Sequence, residues 1–227
     1  MTETQARDEI CRVGKSLFDR GYVHATAGNI SVRLDESEGG GFLITPTDAC
    51  LGFLEPTQLA RLDADARQTS GPVASKTIAL HAAIYRAAST FDAQTRCVIH
   101  THSTHCVALT LQPAGAELLP PITPYFVMKV GHVPVIPYFR PGDPAAALAV
   151  AQAVQAWGER GTPIRAVMLS RLGPNVWHHT PGAAMATLEE LEETARLWAM
   201  TRLLQPQPQP LTEAQLQTLR DVFAARW

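Results

Sequence analysis

The chain has 227 residues, the size of one large domain, and 46% of them are hydrophobic, enough for a substantial core. Its 19 Lys and Arg against 21 Asp and Glu leave a net charge of −2 with no basic stripe, which excludes nucleic acid as an expected partner. No apolar run reaches the roughly 18–20 residues that span a bilayer, and the polar start MTETQARDEI is unlike a signal peptide, so a cytoplasmic protein without a membrane segment is expected. Cys11, Cys50, Cys97 and Cys106 are scattered without a CxxC pair and read as reduced thiols.

Ile10, Val13, Leu17 and Phe18 repeat at helical spacing, which predicts a helix over residues 4–20 that stops at Gly21. A short strand is expected near Tyr22–Val23, then a small-residue loop from Ala25 to Asn29. Ile30–Arg33 and Phe42–Thr45 flank a glycine-rich turn and predict a hairpin. Ile78, His81, Ile84 and Tyr85 predict a helix over residues 77–89. Arg96–His102 reads as a strand, followed by a short helix to about Leu111 capped by Ser103 or Thr104. An alanine-rich helix over residues 143–157 precedes an apolar strand from Ile164 to Ser170. A turn is expected at Gly173-Pro174 and a return strand at Asn175–His179. Thr180-Pro181 supplies a cap and a first-turn proline for a long helix to about Leu204. The prolines of residues 205–210 predict a stiff spacer, and Thr212-x-x-Gln215 opens a last helix with a capping box. The expected organisation is one α/β domain over residues 1–204, with a Pro/Gln linker and a C-terminal helix over 205–227.

His100 and His102 are the sharpest chemical feature. Residues two apart on a strand share a face, so both imidazoles can reach one cation. They sit at the C-terminal end of an apolar strand, where open α/β sheets place their sites. Imidazole donors favour zinc as the divalent metal. The loop Thr26-Ala-Gly-Asn-Ile-Ser31 offers backbone N–H groups and hydroxyls suited to an oxyanion. Thr45-Pro-Thr-Asp48 and Ser75-Lys76 add further hydroxyls and a cation.

In order and content these segments resemble the class II aldolase and adducin head-domain family, which includes fuculose-phosphate aldolase and ribulose-phosphate epimerase. The matching stretches are Ala27-Gly-Asn-Ile-Ser31, Leu43-Ile-Thr-Pro-Thr47, Leu80-His-x-x-Ile84-Tyr85, Val98-Ile-His-Thr-His-Ser103 and the glutamate-rich Leu188–Glu193. The resemblance covers about residues 5–204. Tyr22-x-His24-Ala-x-Ala27-Gly-Asn, Thr45–Gly52, Ser75-Lys76, Thr123–Gly131 and Pro137–Asp143 further resemble the branch that decarboxylates 3-oxo-tetronate 4-phosphate, whose members carry lysine at position 76.

The resemblance implies a three-layer α/β/α fold around a central mixed sheet, and a homotetramer with active sites between subunits. It implies a metal-dependent lyase converting a phosphorylated sugar acid to dihydroxyacetone phosphate and CO2. Thr26, Gly28, Asn29, Thr45, Thr47 and Ser75 would hold the phosphate, and His100 and His102 the metal. Lys76 would face the substrate's carboxylate, which a carboxylate side chain would repel. Tyr125 matches a tyrosine that reaches a neighbouring subunit's site and donates a proton. Lys129 and Arg140, in proline-flanked segments expected to be exposed loops, are candidate anion holders.

One departure bears on the chemistry. The family usually takes a third histidine from a later Asn-His-Gly-like motif, and here the segment reads Ser170-Arg-Leu-Gly-Pro174, with Leu172 in the ligand position. His24, His132, His178 and His179 are the remaining candidates. Six extended residues span roughly 20 Å, which argues against the last two. Sugar-phosphate aldol cleavage and a non-catalytic adducin-like module are the alternatives to decarboxylation.

Overall fold

The computed structural model describes residues 1–112 and 115–227. Its first helix, α1 (Glu3–Asp19), is closed by a capping box between Thr2 and Gln5 and buries Ala6, Ile10, Val13 and Leu17 along one stripe. The strands are β1 (Asn29–Arg33), β2 (Phe42–Ile44), β3 (Ala60–Leu62), β4 (Gln68–Ser70), β5 (Cys97–His100), β6 (Val135–Ile136), β7 (Ala166–Leu169) and β8 (Gly173–His178). They form one sheet in the order β4-β3-β2-β1-β5-β8-β7-β6. Among the described residues only the β6–β7 pair is parallel, so the sheet is mixed.

Side-chain alternation decides what each face meets. Ile30, Val32, Cys97, Ile99 and Val176 join α1 and the long helix α6 (Pro181–Thr201) in one core. Val98, Val167, Leu169 and Trp177 join α2 (Ile78–Ala88) and α5 (Pro144–Glu159) in another. Two apolar faces, each covered by helices, give the three-layer α/β/α arrangement. In α6, Ala184, Leu188, Leu191 and Ala195 are fully buried at helical spacing. Truncating Leu188 to alanine would cost about 2–5 kcal/mol. Thr180 caps this helix by accepting from the N–H of Ala183.

Two short helices, α3 (Thr104–Leu109) and α4 (Pro124–Lys129), complete the α6 side. The last helix, α7 (Glu213–Phe223), has the expected capping box between Thr212 and Gln215 and packs Leu216 and Leu219 against Val127 of α4. Trp227 stacks on His132, whose other face stacks on Trp157 of α5. Among the described residues no helix is long and apolar enough to cross a membrane. All four cysteines are free.

Several expectations shift. Tyr22–Val23 forms no strand; both side chains instead bury into the α1 side of the core. The turn between β7 and β8 falls at residues 170–172, where Leu172 N–H donates to Leu169 C=O, and Gly173 and Pro174 are already in β8. Arg171 carries that turn's left-handed conformation (φ 64). Ser103 does not cap α3 with its side chain, because its hydroxyl is 2.6 Å from that of Thr101. The buried carboxylate of Glu192 caps α3 instead, accepting from the N–H groups of His105 and Cys106. Lys129 lies in helix α4 rather than in a loop.

Candidate active site

β1, β5 and β8 lie side by side, and their register places Asn29, His100 and Asn175 in one row. Directly opposed residues on neighbouring strands share a face, so all three point toward the α2 and α5 layer. Beyond His100 the strand ends, and His102 occupies the following turn rather than the strand itself. The two rings nevertheless meet edge to face, with centroids 5.1 Å apart.

Glycines shape this turn from both sides. Gly28 has φ 86, and a Cβ there would sit 2.9 Å from the carbonyl oxygen of His100. Gly173 has φ 136, and a Cβ there would overlap the carbonyl oxygen of Thr101. Both positions need glycine for conformation and for close approach.

These segments open onto a cleft of about 350 Å³. Thr26, Gly28, Asn29, Thr47, Ser75, Lys76, His100, His102 and Arg140 all line it, and so does Leu172. The N-terminal turns of α2 and α5 also face it, through Thr77, Ala79 and Leu80 and through Pro144, Ala146 and Ala147. Helix N-termini present unpaired N–H groups and positive potential, which favour an anion. Asp143 already caps α5 through Ala145 N–H. The start of α2 has no side-chain cap, and the hydroxyls of Thr77 and Ser75 lie 2.7 Å apart beside it.

Thr45 and Tyr125 are placed elsewhere. Thr45 is fully buried; its hydroxyl accepts from the N–H of Ile30 and holds β1 beside the 45–47 segment. Tyr125 is 62% exposed on α4 and does not line the cleft of its own chain. Lys129 is absent from the lining as well.

The imidazoles are chemically prepared as neutral donors. Nδ1 of His100 lies 3.0 Å from the carbonyl oxygen of Pro174. A carbonyl only accepts, so Nδ1 carries the proton and Nε2 keeps its lone pair. Burial, aided by His102, pushes the pKa of His100 down to about 4. Burial and then His24 lower that of His102. A ligand that is neutral at pH 7 surrenders no proton to a metal. The rings therefore suit a divalent cation in chemistry and spacing, although no group of three or more His, Cys, Asp or Glu among the described residues is arranged to hold one as it stands.

In the sequence His81 stands on an apolar helix face and within the family-like stretch Leu80-His-x-x-Ile84-Tyr85, neither of which shows its partners. It is fully buried, its Nδ1 is 2.8 Å from Ser31 Oγ, and burial followed by His100 pushes its pKa down to about 3. Tyr85 donates to the carbonyl of Ser31 on the same side. His81 Nε2, Asn29 Oδ1 and both polar atoms of Asn175 are buried without a partner among the described residues. Such groups are uncommon in folded proteins and gather where polar ligands or ions are handled. The other histidines are engaged elsewhere. His105 bonds Glu192, His132 bonds Glu117, and His179 bonds Asp92 while His178 accepts from His179 N–H.

Residues 8–199 match the family described as Class II Aldolase and Adducin N-terminal domain. The 3-oxo-tetronate 4-phosphate decarboxylase of Cupriavidus necator is 50% identical, over 100% of this chain and 99% of its own. The enzyme of that name from Escherichia coli K12 is 38% identical over 86% of each chain. Among solved structures, YgbL of Klebsiella pneumoniae superimposes with a TM-score of 0.81 at 38% identity, covering 97% of this chain and 100% of its own.

Proposed function

The chain belongs to the class II aldolase and adducin N-terminal domain family, and from that premise we propose that it is a metal-dependent carboxy-lyase converting 3-oxo-tetronate 4-phosphate to dihydroxyacetone phosphate and CO2. The observation that carries this reading is the convergence, in one cleft, of a neutral histidine pair, an ammonium group and an uncapped helix N-terminus. The full-length relationship to the Cupriavidus enzyme supports the substrate.

The substrate's two charged ends require two different receptors. The phosphate is received by the N–H groups at the start of α2 with the hydroxyls of Ser75, Thr77, Thr47 and Thr26 and the loop at Gly28 and Asn29. Thr45 acts behind them, fixing the loop through Ile30. Lys76 faces the carboxylate end.

A β-keto acid loses CO2 when its carbonyl oxygen can accept the electron pair of the breaking C1–C2 bond. His100 and His102 would hold a divalent metal, which would supply that polarisation. We take it to be zinc, on the evidence of two imidazole donors. As the bond breaks, C2 becomes electron-rich and must take up one proton to give the hydroxymethyl group of the product. Lys76 orients the leaving carboxylate and provides that proton. Arg140, on the rim, adds positive potential that draws in a polyanionic substrate.

Tyr125 cannot serve its own cleft. We assign it to a neighbouring subunit's cleft in a homotetramer, which accounts for a large aromatic ring standing exposed on α4. The reading places the enzyme in the cytoplasm. It also takes residues 205–227 as a linker and C-terminal helix beyond the family match, which ends at residue 199, packed on α4 through Leu216 and Leu219.

The test is CO2 release from 3-oxo-tetronate 4-phosphate by metal-loaded protein, with dihydroxyacetone phosphate appearing in equal amount. Aldol cleavage of a sugar phosphate without CO2 release would overturn the assignment.

A further inference from the structure

We propose that His24 is the third protein ligand of the metal, in the role that Leu172 cannot fill. This rests on the metal-dependent reading of the cleft. A catalytic zinc ordinarily takes three protein ligands and leaves one position open for substrate. Leu172 lines the cleft but has no donor atom.

Geometry singles out His24. Its ring lies edge-on to that of His102, with centroids 6.5 Å apart. Two imidazoles bound to one tetrahedral zinc at about 2.0–2.1 Å have ring centres about 5 Å apart. His100 and His102 stand at that spacing already, at 5.1 Å. Against His102, His24 must close roughly 1.5 Å to match it, and a side-chain rotation must also turn its ring toward His100. It is exposed, so the movement displaces no core packing.

The backbone holds this residue two positions before the cleft lining, which begins at Thr26. The carbonyl of His24 accepts from the N–H of Ala27 at 2.9 Å, closing a tight turn in which Ala25 takes a left-handed conformation (φ 48). The same turn runs directly into Gly28 and Asn29, which line the cleft floor. Ligand and phosphate loop therefore share one short segment.

Of the other donors, Asp143 and His81 are committed, whereas Asp48 lines the cleft. Asp143 caps α5 and lies 3.7 Å from Arg140. Asp48 follows a segment paired with residues 73–74 and so stands on the Ser75 side. His81 is sealed under the floor with its Nδ1 against Ser31.

The test compares Zn2+ binding to chelator-stripped wild type and His24→Gln in competition with a chromogenic chelator, and records the visible absorption of the Co2+-loaded forms. One ion per chain is expected for wild type. His24→Gln should bind Zn2+ more than about 100-fold more weakly, beyond the loss typical of an outer-shell partner. It should also shift and weaken the Co2+ bands. Zn2+ affinity within threefold of wild type, or an unchanged Co2+ spectrum, overturns this proposal and leaves a two-histidine lyase standing. A wild-type chain that binds neither ion overturns both readings.

Discussion

His100 donates its Nδ1–H to the carbonyl oxygen of Pro174 across 3.0 Å. That bond sets the tautomer, aims Nε2 away from β8 and into the cleft, and ties the ring to the neighbouring strand. His100→Gln should leave a folded protein, because the residue sits at the end of β5 with its backbone pairs intact. Bound metal should fall well below one per chain. CO2 release should fall by about 10³-fold, since the lost polarisation is worth several kcal/mol. Metal analysis and a CO2 assay on the same preparation check both; a variant with full metal content would contradict the role given to this ring.

Lys76 can be separated from the metal. It lines the cleft and takes no part in the hydrogen bond of His100 to Pro174. Lys76→Gln is expected to keep stoichiometric metal while kcat/KM falls by about 10²-fold, the scale of a lost proton donor. Retained turnover would remove Lys76 from the chemistry.

Gly173 offers a test by steric wedge. Gly173→Ala adds one methyl group where the carbonyl of Thr101 already stands, at a φ of 136 that alanine resists. The 100–102 turn must move, at a cost of about 1–3 kcal/mol. A lowered Tm together with weakened metal binding is expected. Full affinity at a lowered Tm would show that the turn does not depend on this contact.

The pH dependence of stability has a worked sign. Burial, followed by Arg165 and His179, pushes His178 from 6.5 down to about 4, and its Nδ1 accepts from His179 N–H. In the folded protein the ring stays neutral to lower pH than in the unfolded chain. As pH falls from 6.5 toward 4 the unfolded state takes up the proton first, so stability declines. His81, pushed to about 3, acts in the same direction. Thermal unfolding in chelator should give a Tm that drops across this window, with a shallower drop in His178→Gln. An equally steep decline in that variant would assign the acid sensitivity to other groups.

The sequence made some of these features visible and hid others. The period-3.6 stripe of α1, the caps at Thr180 and Thr212 and the strands near Ile30 and Val98 could be read from single residues, because local chemistry dictates them. β3, β4, β6 and α4 could not. Each is short, and its conformation depends on pairing with segments distant in the chain. The β7–β8 turn was placed too late because Gly173-Pro174 looks like turn chemistry. The glycine is there to clear Thr101, a contact that no sequence spacing reveals. Within the cleft, the HxH pair and the Thr26–Asn29 loop declared themselves by composition. His81 did not, since a histidine on an apolar helix face shows its burial only when the opposing Ser31 is known.

The cleft draws on six stretches lying between Thr26 and Leu172, contributed by the loop leading into β1, the ends of β2, β5 and β7 with the segments that follow them, and two helix starts. No contiguous peptide contains it, and none of its parts can form without the sheet that brings them together. Occupancy is therefore coupled to the whole cooperative transition rather than to a local loop. A metal ion or an inorganic phosphate that binds only the native state raises the melting temperature in proportion to the logarithm of its concentration. For this molecule, thermal shift against a ligand series reads out the cleft and the integrity of the entire fold in one measurement.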